Sequence, residues 1–185
     1  MAMIDATPPP SITIHPLTDA DSQWVAQFIR VRWGASSVVA HGNIYYPHTL
    51  PGFIACIAGE GCSADSASAP HDLNDDSRVG LVTYWLSGDE MEIVTLDSVH
   101  PGKGIGTALV EAAIQEAQSQ GCRRAWLITT NDNLSALRFY QKRGFTLVAV
   151  YPNALERSRA LKPEIPLVGE HGIPLRDEIE LEYLL

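Results

Sequence analysis

The chain has 185 residues, 45% of them hydrophobic, 8% aromatic and 19% charged, with a formal net charge of -9 at pH 7. That length and composition fit one domain whose core needs no metal or disulfide staple. The acidic balance argues against nucleic acid as a partner, since phosphate backbones are met by clustered Lys and Arg.

Residues 1–10 hold Pro8-Pro9-Pro10 and read as a disordered lead. They lack the basic region and apolar stretch of a signal peptide, and no later window approaches the ~20 apolar residues of a membrane span. A cytoplasmic location with no membrane partner is therefore expected. Residues 11–15 alternate β-branched and polar side chains and predict a short strand that Pro16 stops. Thr18 or Asp19 caps a predicted helix whose apolar positions Trp24, Val25, Phe28, Ile29 and Trp33 recur at helical spacing, with Gly34 as its stop. Residues 35–50 carry no clear period. Their run His41, Tyr45, Tyr46 and His48 either lines a cleft or packs.

Residues 53–58 predict a strand, and the Gly-, Ser-, Ala- and Asp-rich stretch 59–78 predicts a flexible connection. Strands follow at 79–86 and 90–96, joined by Ser87-Gly88-Asp89 and hence antiparallel neighbours. From Gly104 the period changes. Ile105, Ala108, Leu109, Ala112, Ala113 and Ala117 mark one buried helix face, ended by Gly121. A strand at 125–129, a helix at 134–143 between an Asn131-Asp132-Asn133 cap and Gly144, and a strand at 145–151 come next. The Pro-containing tail predicts one helix near 154–161 and a closing strand at 179–184. The expected fold class is α/β: one domain over 11–185, with a mixed, splayed sheet of six or seven strands and about four helices. The cysteines Cys56, Cys62 and Cys122 are odd in number and lack C-x-x-C spacing, which predicts reduced thiols and no metal site.

Chemistry concentrates at Gly102-Lys103-Gly104-Ile105-Gly106-Thr107, between a strand and a helix. Glycines let a backbone approach a ligand, and the following helix aims its unpaired N–H groups and positive dipole end at that point, where phosphate is favoured. The Thr107 hydroxyl and Lys103 are further candidate contacts. The spacing is neither that of a P-loop nor that of a dinucleotide fingerprint. Taken alone, the loop fits a phosphate ligand or a plain turn equally.

Residues 102–145 resolve that choice by resemblance. The segments G-K-G-I-G-T-A-L-V and N-L-S-A-L-R-F-Y-Q-K-R-G-F, with Asn133, Ala136, Tyr140, Gly144 and Phe145 in place, resemble the GNAT superfamily of acetyltransferases. A weaker likeness extends over 11–151, and 152–178 resembles a smaller subgroup with no assigned substrate. The resemblance implies acetyl-CoA as cosubstrate, its arm lying where the strands splay. Backbone amides over 96–99 (Leu96, Ser98 and Val99 among the contacts) would bond the arm and polarise the acetyl carbonyl. Gly102, Lys103, Gly104, Ile105, Gly106 and Thr107 would hold the pyrophosphate, Asn133 the pantetheine, and Tyr140 would protonate the departing thiolate. Pro101 stands where the family pattern places Gln or Arg, so the loop reads as shortened, its grip resting mainly on backbone amides.

Transfer to an amine also needs a base. Glu92, among the apolar Met91, Ile93 and Val94, is the first candidate and Asp97 the second. Strand alternation places 90, 92, 94 and 96 on one face and 91, 93, 95 and 97 on the other. Trp33, Tyr45 and Tyr46 are candidates for an acceptor pocket. The expected acceptor is a primary amine of a small molecule or protein; the acidic balance favours a cationic one such as a polyamine, an aminoglycoside or a lysine side chain. The rival readings are a non-catalytic acyl-CoA sensor of the same fold, a nucleotide-binding domain, and O-acetylation or a longer acyl donor. Dimers are frequent in the superfamily, so a homodimer is an expectation.

Overall fold

The computed structural model describes residues 11–57 and 77–185. The predicted lead and almost all of the predicted 59–78 connection lie outside those residues. In chain order the elements are β1 (Ile12–Pro16), α1 (Ser22–Trp33), β2 (Val38–Ala40), β3 (Asn43–Tyr45), β4 (Gly52–Ile57), β5 (Arg78–Ser87) and β6 (Glu90–Ser98). They continue with α2 (Ile105–Ser119), β7 (Arg124–Thr130), α3 (Leu134–Gln141), β8 (Thr146–Tyr151), α4 (Ala154–Leu161) and β9 (Glu178–Leu184). Seven strands form one sheet in the order β1-β4-β5-β6-β7-β9-β8, and β2 and β3 form a separate hairpin. Every main-sheet pairing is antiparallel except β6 with β7, which α2 connects as a crossover.

The helices α1 and α2 bury most of the stripe their spacing predicts, while Trp33, the last predicted position of α1, is exposed. On one sheet face, Trp24, Val25 and Ile29 of α1 pack with Ile54, Cys56 and Leu81. On the other, Ile105, Leu109, Val110, Ala113 and Ala117 of α2 join Val79, Val82, Tyr84, Met91 and Ile93, with Tyr140 from α3. Ahead of α1 the Thr18 amide and hydroxyl both donate to the Asp21 carboxylate, at 2.9 and 2.8 Å. Cys122 is a free buried thiol and Cys56 is disulfide-bonded, where the odd cysteine count predicts reduced thiols.

The stretch without a period holds the β2–β3 hairpin. Two strands of three residues are too short to show alternation. His41 and Gly42 form its turn at φ 50° and 78°, the left-handed values that a tight two-residue hairpin turn requires.

The strand-face assignment in β6 needs correction. Thr83 of β5 pairs with Thr95 but Tyr84 pairs with Ile93, so Val94 is an extra residue opposite no partner. Such a bulge breaks the two-residue period and bends the strand. Met91 and Ile93 face α2, as predicted for their parity. Beyond the bulge, Asp97 pairs with Leu81, whose side chain packs under α1. Asp97 thus shares the face of Glu92.

β6 and β7 pair over only Glu90–Arg124, Met91–Ala125 and Glu92–Trp126. Beyond Glu92 they part, which is the splay expected from the sequence.

Close approach fixes Gly52 in β4: a Cβ there would lie 2.1 Å from the Val82 carbonyl oxygen and 3.0 Å from Thr83 Cα. Gly52→Ala is expected to destabilise the fold by about 2–4 kcal/mol, because backbone rather than a flexible side chain must move. Urea unfolding measures this, and an unchanged midpoint would refute the contact.

Candidate active site

A cleft of about 610 Å³ lies along the part of β6 beyond its pairing with β7. Leu96, Asp97 and Ser98 of β6, Gly106 of α2, and Asn133, Ala136 and Phe139 line it, with Arg32 and Trp33 of α1 at one wall. Four predicted cofactor contacts, Leu96, Ser98, Gly106 and Asn133, therefore meet in one place. The Val99 amide does not join them, because it donates to the Val79 carbonyl at 2.8 Å.

Asp97 borders the cleft with both carboxylate oxygens engaged. Arg32 donates Nη2 to Oδ1 at 2.8 Å and Nε to Oδ2 at 3.2 Å, and Trp33 Nε1 donates to Oδ2 at 2.8 Å. The forked guanidinium matches the carboxylate's geometry. The Asp97 hydrogen bond, opposed by burial, raises the pKa of Arg32 further. This clasp ties the last turn of α1 to the end of β6.

In the glycine loop, Gly102, Lys103 and Gly104 are exposed. Gly104 sits at φ 82° immediately before α2, a conformation most side chains resist. The amides of the first turn have no intrahelical acceptor, so they remain donors for an anion. Ile105 is buried in the core, which leaves only its backbone for a ligand. The Thr107 hydroxyl accepts from Arg143 Nε at 3.1 Å and also from Arg143 Nη2. Arg143 Nη1 donates to the Phe139 carbonyl at 2.7 Å, and its guanidinium lies 3.5 Å from the Phe139 ring centre. Arg143 thus carries charge to the start of α2, whereas Lys103 projects from an exposed loop.

Asn133 caps α3: its Oδ1 accepts from the Ala136 amide at 3.0 Å and the Ser135 hydroxyl at 2.9 Å. Tyr140 is buried, with edge-on contacts to Phe139 and Phe145 at 5.1 and 5.2 Å between ring centres. Burial raises its phenol pKa, with partial opposition from Arg143, so the hydroxyl keeps its proton.

Glu92, the last β6 residue paired to β7, stands at the apex of the splay and is 4% exposed. Tyr45 of the hairpin donates its hydroxyl to Glu92 Oε2 at 2.6 Å. Burial raises the Glu92 pKa; the Tyr45 hydrogen bond and His41 pull it down, while Glu178 and Glu180 push it up. Those two carboxylates are buried residues of β9. Glu178 accepts from the His41 amide at 3.2 and 3.3 Å and from Ser158 of α4 at 3.2 Å. Glu180 accepts from Tyr151 and from Arg124 Nη1. Arg124 also holds Glu182 at 3.0 Å and Glu90 at 2.9 Å. Sequence reading missed Glu178 and Glu180, although E-I-E-L-E over 178–182 is the alternation that places three carboxylates on one strand face. Tyr46 is exposed, and its ring meets His48 edge-on at 6.1 Å between centres.

Residues 41–145 match the family model described as acetyltransferase (GNAT) family. The uncharacterised protein YdhI of Bacillus subtilis (strain 168) is 39% identical over 178 residues, covering 96% of each chain. An IAA acetyltransferase from Bacillus cereus ATCC 14579 superposes with a TM-score of 0.66 at 22% identity, over 95% of this chain and 100% of that one. A Bacillus subtilis acetyltransferase in complex with CoA does so with a TM-score of 0.60 at 19% identity, over 95% and 99%. The seven-stranded mixed sheet with its four helices is the fold that matches these structures. The chain belongs to the GNAT acetyltransferase family.

Asn133→Ala removes the α3 cap and is expected to cost about 1 kcal/mol of stability. Thermal unfolding reads this as a lowered Tm; an unchanged Tm would show that the cap bond does not hold α3.

Proposed function

We propose that this protein transfers an acetyl group from acetyl-CoA to a primary amine by direct attack, with Glu92 as the base. The observation carrying this reading is the buried carboxylate at the last β6 residue paired to β7, on the strand that further along lines the cleft with Leu96, Asp97 and Ser98, opposite Gly106 and Asn133. At the start of α2, whose Gly106 lines the cleft, the helix N-terminus, the exposed Gly102–Gly104 segment and Arg143 offer donors and charge to the phosphates of CoA. CoA supplies an acetyl group activated as a thioester.

The chain's own groups account for the rest. Glu92, held on one oxygen by Tyr45, takes the proton from the incoming amine directly or through water. Tyr140, kept protonated by burial, is the donor for the departing sulfur. The Leu96 and Ser98 backbone, with Asn133, orients the arm. Asp97 acts as the clasp that holds Arg32 and Trp33 against the cleft, with Glu92 taking the proton.

The acceptor class follows from charge. Glu92, Glu178 and Glu180 share a face walled by Tyr45, His41 and Tyr151, a setting that favours an ammonium-bearing acceptor over an anionic one. A polyamine or an aminoglycoside carries both the nucleophile and further positive charge.

Acetyl-CoA turnover, read as thiol release with spermine, an aminoglycoside and a lysine peptide as acceptors, tests this reading. Glu92→Gln should lower kcat/KM by roughly 10²–10⁴-fold and Tyr140→Phe by roughly 10²-fold, both with CoA affinity unchanged. Tight CoA binding without turnover on any amine would instead favour a sensor. Because burial raises the Glu92 pKa, activity should be full above that pKa and fall as pH drops through it. The acid limb of kcat/KM should therefore lie above the usual glutamate range and vanish in Glu92→Gln. A limb at the ordinary glutamate value would refute Glu92 as the base.

A further inference from the structure

The β2–β3 hairpin shares no ladder with the main sheet, yet it reaches the site's carboxylates at two points. Its turn donates the His41 amide to both oxygens of Glu178, and its last residue donates the Tyr45 hydroxyl to Glu92. The His41 ring also meets Tyr151 edge-on at 4.6 Å, and Tyr151 in turn donates to Glu180. The hairpin is therefore seated through the very groups that line the proposed acceptor face.

Among the described residues, Tyr45 is the sole hydrogen-bond donor to Glu92, and it occupies only Oε2. A carboxylate has two oxygens, so Oε1 keeps its lone pairs for an incoming proton. The bond is short at 2.6 Å, as expected of a hydroxyl donating to an ionised acceptor. We propose that Tyr45 is the positioning residue for the base: it fixes the rotation of the Glu92 carboxyl and keeps it ionised among its like-charged neighbours.

The charged and titratable groups around Glu92 make such a device necessary. Glu178 and Glu180 of β9 oppose its ionisation, and burial does so more strongly. His41 of the hairpin favours ionisation, but its Nδ1 also lies 3.8 Å from Glu178. Arg124 of β7 is committed to Glu90, Glu180 and Glu182. Tyr151 of β8 donates to Glu180. Tyr45 is the group whose bond goes to Glu92. Its own pKa is raised by burial and then by the carboxylate it serves, so it stays a donor throughout the range in which Glu92 titrates.

This inference rests on Glu92 acting as the base, and two measurements separate the two. The first needs no acceptor: a pH titration of protein carrying ¹³Cδ-labelled glutamate, with the Glu92 signal assigned by its loss in Glu92→Gln. Tyr45→Phe keeps the ring and removes the donor; the Glu92 midpoint should rise by about one pH unit, the amount a single charge-assisted hydrogen bond supplies. Tyr46→Phe, at the exposed neighbour, should leave the midpoint where it is. An unchanged midpoint in folded Tyr45→Phe overturns the proposal even if activity falls, because a merely structural tyrosine gives that result. The second is the pH profile of kcat/KM with spermine as acceptor, whose acid limb should move upward with the midpoint in Tyr45→Phe. Full turnover by Glu92→Gln would overturn the reading of Glu92 as base, whatever the midpoint does in Tyr45→Phe.

Discussion

The site depends on where the pairing between β6 and β7 ends. Parallel strands hold each other through evenly spaced, slanted hydrogen bonds, and nothing in that pattern stops it at three residues. The bulge at Val94 falls just beyond the last paired residue, Glu92, at the point where a bulged strand bends and its twist increases. The backbone past that point gives up pairing on one side and gains a cleft. The one inserted residue thus sits where the gap begins, directly after the carboxylate at its apex, and turns Asp97 to the α1 face.

Around that gap the two sheet faces divide the work. The α2 face is apolar and close-packed, and it fixes the loop and the α3 segment that borders the cleft. The opposite face is unusually polar for an interior. Its carboxylates avoid the cost of isolated buried charge because each has a donor from a different element: Tyr45 from the hairpin, Ser158 from α4, Tyr151 from β8 and Arg124 from β7. The proposed chemistry and the seating of three peripheral elements thus share one set of groups.

Much of this was legible in the sequence because long periodic segments declare themselves. Ile105 through Ala117 reads as a helix without ambiguity, and the glycine loop with the Asn133 to Phe145 segment identified the family. The β2–β3 hairpin was not legible, since its strands are shorter than any period. The face of Asp97 was misread for a different reason. A bulge leaves no mark in an apolar run such as Ile93-Val94, so parity was carried across a point where the backbone discards it. Arg143 was passed over because its role depends on a contact 36 residues away, with Thr107. Glu178 and Glu180 were visible as alternation, but only the folded sheet shows that β9 lies beside β7, on the same face as Glu92.

Arg124 shows how shape, more than charge, governs this interior. Its guanidinium meets Glu90 on one side and Glu180 and Glu182 on the other, so one planar cation staples β6 to β9 across β7 at the closed end of the splay. A lysine there would bring the same charge as a compact point, with no rigid fork to span the two flanking strands. The closed end of the splay is thus tied together by a residue that does not line the cleft.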